Sequence, residues 1–165
     1  RHRNDCHMKI RDTLLANIQC TPSVAAMIGQ IDFGRVNDLV GTKLSEFIRQ
    51  RGVDVVRRDL MYDLHSPTYD FITHLMEVES VQLLKENGLL YHERFIDALY
   101  VLISSISIGV AGYFRQHQIA SIDSCRYFNA STYYLQLEQA VENVYEAWRC
   151  EGYRLSPSDF QLQHL

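Results

Sequence analysis

The stretch Leu89–Gln116, LLYHERFIDALYVLISSISIGVAGYFRQ, decides how this chain is read. From Ala98 to Phe114 it runs seventeen residues without a charge. A bilayer span needs about 20 apolar residues, so this run sits near the lower limit for crossing a membrane. Ser104, Ser105, Ser107, Gly109 and Gly112 interrupt its apolar character. Ser105, Gly109 and Gly112 form a small-residue stripe that lets a neighbouring helix approach closely, in a soluble core as well as in a membrane bundle. Arg94 before the run and Arg115 after it give no asymmetry of charge from which an orientation could be read. The expectation is a central helix buried on all sides, with Leu102, Ile106 and Val110 almost fully enclosed and no membrane partner.

A helix apolar all round needs amphipathic helices to cover it, and the sequence on either side supplies them. Each proline follows a hydroxyl residue: Thr21-Pro22, Ser66-Pro67 and Ser156-Pro157. A hydroxyl at the N-cap satisfies an orphan amide, and proline at the first helical position has no amide to orphan. Helices are therefore expected to start at Pro22 and Pro67, with a terminal turn at Pro157. The first segment, Asp5 to Ile18, carries Ile10, Leu14, Leu15 and Ile18 on one face. Pro22 to Gly29 follows with Val24, Ala25 and Ile28. From Phe33 or Asn37 to Arg51, the residues Val36, Val40, Leu44, Phe47 and Ile48 recur at helical spacing, and Gly52 suits a left-handed cap. Asp54 to His65 shows Val56, Leu60 and Leu64 at i, i+4, i+8. One long helix is expected from Ser66 to Gly88. The last, Ser131 to Cys150, repeats Tyr134, Leu137, Val141, Val144 and Trp148 at 3-4-3-4 spacing, a narrow seam for one neighbour.

No run alternates with period 2 and no Asn-Gly or Asp-Gly hairpin signal occurs. The chain has 165 residues, 47% hydrophobic and 22% charged, which excludes disordered, collagen-like and low-complexity classes. The expected fold is all-α: a single helical domain, residues 1–165, forming one bundle of six to seven helices around the central apolar helix. The net charge of −4 supplies no basic field to draw the protein onto nucleic acid. Cys6, Cys20, Cys125 and Cys150 form no C-x-x-C pair, so no zinc knuckle or redox motif is indicated. A domain of this size does not need disulfides, and free thiols in the cytoplasm are the expectation.

Chemistry-bearing patterns are few. Ala25 and Gly29 have the separation of a small residue and a turn glycine in a helix-turn-helix, with Arg35 and Asn37 on the following helix as base readers. The apolar site such a motif needs falls on Arg35, and Asp32 and Asp38 oppose phosphate. Arg49, Arg51, Arg57 and Arg58 cluster, but Asp54 and Asp59 are interleaved with them, so a solvated mixed-charge surface is expected. His74 and Glu77 stand at i, i+3, and His92-Glu93 opens the next segment. A carboxylate-bridged metal pair needs Glu-x-x-His on two helices, and only one reversed copy is present. No cofactor or metal is therefore expected. No phosphate-binding loop, nucleophile elbow or His-Glu-x-x-His occurs.

Arg58 and His65, with six residues between them, resemble the R-x(4–6)-H signature of HEPN-domain ribonucleases, with Asp59 compatible as the polar residue after the Arg. The resemblance covers eight residues. It implies a small all-α bundle in which Arg58 and His65 act together as catalytic residues in metal-independent RNA cleavage, across a dimer interface.

Tyr127, Phe128, Tyr133 and Tyr134 cluster before the last helix, and Trp148 is the only tryptophan. Tyrosine clusters and lone tryptophans are common anchors of protein interfaces. Tyr127, Tyr133, Tyr134 and Trp148 are the expected partner-binding residues. The leading expectation is a non-enzymatic helical regulatory or adaptor protein that binds another protein, with homodimerisation open. A DNA-binding regulator built on Pro22 to Val40, a HEPN-like ribonuclease, and a secreted helical ligand with a glycan at Asn129 are the alternatives.

Overall fold

The computed structural model describes residues 11–12, 14, 21–89, 95–120, 139–140 and 142–147. They are helical apart from short turns, and no strand occurs among them. In chain order the helices are α1 (Pro22–Gln30), α2 (Phe33–Arg51), α3 (Val53–Tyr62), α4 (Pro67–His74), a π-helical turn (Leu75–Glu79), α5 (Ser80–Glu86) and α6 (Phe95–Gln116). The fold is an all-α bundle built around α6.

The local signals act as physical chemistry requires. Thr21 caps α1, its Oγ1 accepting the amide of Val24 at 3.2 Å, with Pro22 in the first turn. Asp32 caps α2 through the Arg35 amide at 3.1 Å. Gly52, at φ 98°, closes α2 and opens α3 with no intervening residue. A side chain is strained at that φ, so glycine permits the abrupt change of direction there. α5 ends on Gly88 at φ 67°, where the Leu89 amide reaches the Leu84 carbonyl and the Gly88 amide the Lys85 carbonyl. That pair of bonds is a Schellman closure.

Cross-links fix the directions of the helices. Arg35 on α2 meets Glu86 on α5, Lys43 meets Glu79, and Phe47 stacks on Phe71 with ring centroids 4.2 Å apart. Residue numbers rise along α2 as they fall along its partners, so α2 lies antiparallel to the α4–α5 column. α6 starts beside the end of α5. It finishes near α3, where Arg57 donates to the carbonyl of Gln118 at 3.3 Å. It therefore runs with α2 and against the column. α1, α2, α5 and the π turn all pack on it, and Ser23 on α1 donates to Asp97 at its start.

α6 has the length and apolarity to cross a membrane, yet protein covers it. Leu102, Ile106 and Val110 are fully enclosed, together with Leu99, Ile103 and the small residues Ser105 and Gly109. The Ser105 hydroxyl returns to the Val101 carbonyl, which answers its polarity inside the helix.

Three expectations need correction. The helix from Ser66 to Gly88 is not uniform, because the five residues 75–79 take a π turn. That wider turn leaves Leu75 and Met76 buried and brings Ser80, Val81, Leu83 and Leu84 onto the core as well. α3 stops at Tyr62, and Leu64 lies exposed in the turn after it. Asp63 leaves helical geometry there, so the i+8 position no longer faces the core. Ser66 stands at the N-cap of α4, but its hydroxyl caps nothing and is buried without a partner.

Leu14 is helical and buried, as its place on the first segment implied. Of the last helix, 139–140 and 142–147 are described; Ala140 and Val144 are buried there, while Glu142 and Asn143 are exposed. The four cysteines, His92, Glu93, the Asn129 triplet, Tyr127, Tyr133, Tyr134 and Trp148 lie outside the described residues.

Candidate functional site

The end of the bundle where α2 passes into α3 and α4 brings the most polar chemistry together. Asp59 comes from the inner face of α3 and is 7% exposed. Arg51, at the end of α2, donates its Nε to Asp59 Oδ2 at 2.7 Å. Thr68, in the first turn of α4, donates its hydroxyl to the same oxygen at 2.7 Å. One carboxylate thus ties three helices together. Burial alone would raise its pKa. The Arg51 and Thr68 hydrogen bonds, with the charges of Arg51 and Arg58, outweigh burial and hold the carboxyl below its usual range. One turn away the Tyr69 hydroxyl donates to the Leu60 carbonyl, a second tie between α3 and α4.

The outer face of α3 differs. Asp54 pairs with Arg57 at 3.0 Å, while Arg58 is exposed and, among the described residues, has no ion pair or hydrogen bond. Val53, Met61, Tyr62 and Leu64 are large apolar side chains left exposed, Tyr62 at 79%. Four of the five exposed large apolar residues described in the chain belong to α3 and the turn after it; the fifth, Ile96, sits at the start of α6. Helical spacing sets Met61 and Tyr62 one turn beyond Arg58.

The other candidate residues fall as follows. Arg58 is on the outer face of α3 and His65 in the exposed turn after it; no hydrogen bond links them. The backbone amide of His65 is held by Asp63 Oδ1 at 3.1 Å. Within the helix-turn-helix pattern Ala25 and Gly29 are exposed, where such a motif would bury a small residue against its second helix. Arg35 is bound to Glu86 through two nitrogens, at 3.2 and 3.3 Å. Its guanidinium is engaged within the bundle, and its pKa is raised, chiefly by the hydrogen bond to Glu86. Of the arginine cluster, Arg51 and Arg57 are paired, while Arg49 and Arg58 are exposed. His74 is exposed on α4, and Glu77 on the π turn accepts from Asn143 at 2.8 Å, which places the last helix beside that turn. No group of three or more His, Cys, Asp and Glu residues suited to a metal occurs among the described residues.

Sequence reasoning did not single out Val53, Met61 and Tyr62, and it read Leu64 as a core position of the same helix. For Met61 and Tyr62 the available signal was their position off the Val56–Leu60 stripe on the wheel of α3, where polar residues are the rule. Comparison with known proteins finds no family model, no curated protein and no solved structure that matches this chain.

Proposed function

We propose that this chain is a non-enzymatic helical adaptor that acts by binding another protein. One observation carries the reading: Met61, Tyr62 and Leu64 are exposed at the end of α3 and in the turn after it, while most other large apolar side chains among the described residues are enclosed. Scattered apolar residues on a surface need no explanation, whereas neighbouring ones concentrated on one short element are typical of interaction sites. Tyr62 supplies what interface anchors supply, a rigid ring with a polar tip and few rotamers to freeze. The two ties under this face, Asp59 to Arg51 and Thr68, and Tyr69 to Leu60, hold α3 rigidly on the bundle. A surface fixed in advance loses little freedom on binding.

The reading is tested by placing a photo-crosslinking phenylalanine at position 62 and, in a second protein, at exposed Gln30 near the opposite end. Irradiation in cells of the source organism should give protein adducts from position 62 and none at that mass from position 30. No adduct at 62, or the same adducts from both positions, would reject it.

A further inference from the structure

We draw no further inference here: the strongest candidate, the exposed apolar face of Met61, Tyr62 and Leu64 at the end of α3 and in the turn after it, belongs to the site already described, and nothing in the structure shows what covers it.

Discussion

α6 and the end of the bundle from Arg51 to Tyr69 are held by opposite means. α6 is stabilised by removal of apolar surface from water, which is non-directional and spread over many side chains. Its buried positions include Leu99, Leu102, Ile103, Ile106 and Val110, and no single contact defines it. The α2–α3–α4 junction depends on a few directional bonds converging on one carboxylate, backed by a smaller apolar set of Val56, Leu60, Tyr69 and Ile72. The first arrangement degrades in proportion to the volume removed. The second fails when one partner is lost. The same contrast separates their outer surfaces: α6 is covered by its neighbours, whereas α3 leaves Met61, Tyr62 and Leu64 in water.

The contrast is broken most forcefully in α6. Leu102→Ala or Ile106→Ala should lower unfolding free energy by about 2–5 kcal/mol, because a cavity adds to the lost transfer energy. Urea unfolding followed by circular dichroism measures it. A loss below about 1 kcal/mol at both positions would mean that α6 is not the core.

Asp59→Asn should cost about 2 kcal/mol, the scale of hydrogen bonds to charged groups, because it leaves Arg51 without its counter-charge. pH separates this from a packing defect. The Asp59 carboxyl is held below its ordinary value of 3.8, so its contribution is complete above that value and fades as pH falls through the lower folded one. The stability gap between the parent and Asp59→Asn should be constant above about pH 5 and close in stronger acid. A gap that persists below about pH 2 would assign the cost to geometry.

These two regions were not equally legible. The apolar run 98–114 declared α6 by composition alone, Thr21-Pro22 placed the start of α1, and Gly52 placed the end of α2. The spacing of Val56, Leu60 and Leu64 overran α3, because periodicity cannot see Asp63 leaving helical geometry. The π turn at 75–79 was invisible for a related reason: an extra residue per turn leaves no mark on side-chain chemistry, only on which residues end up inside. The Arg51–Asp59–Thr68 junction could not be read either. Arg51 and Asp59 were seen as members of a mixed-charge surface, and only the fold, by closing α3 against α4, puts one of those carboxylates inside. The exposed face of α3 required knowledge of what nothing covers, which is a property of the assembled bundle.

The two left-handed helix ends sharpen the comparison at smaller magnitude. Gly88 after α5 and Gln118 after α6 close their helices with the same pair of backbone bonds, at φ 67° and 56°. Nothing lies within 4 Å of a Cβ added at Gly88, so Gly88→Ala tests conformation without a clash and should cost about 1 kcal/mol. Gln118→Gly should gain about 0.5–1 kcal/mol, relief of the left-handed strain exceeding the entropy glycine adds to the unfolded chain. Thermal unfolding of both variants checks the pair. A loss at Gln118→Gly would show that its side chain makes a contact outweighing the strain.

The smallest effect concerns the two hydroxyl-proline starts. Thr21 and Ser66 read identically in the sequence, and both sit at N-caps in extended backbone. Thr21 bonds the Val24 amide from an exposed position. Thr21→Ala should therefore cost about 1 kcal/mol, the usual value of a cap. Ser66 is 1% exposed and its Oγ has no partner. Its hydroxyl loses water on folding and receives nothing in exchange, an expense that replacement by hydrogen removes. Ser66→Ala should change stability by less than about 0.5 kcal/mol, toward gain, with a small void offsetting part of the relief. Its neighbour Thr68 keeps its bond to Asp59 in that variant, so the acid dependence traced to Asp59 should be unchanged. A cost of about 1 kcal/mol or more at Ser66→Ala, equal to that at Thr21→Ala, would mean that the Ser66 hydroxyl caps α4 in solution.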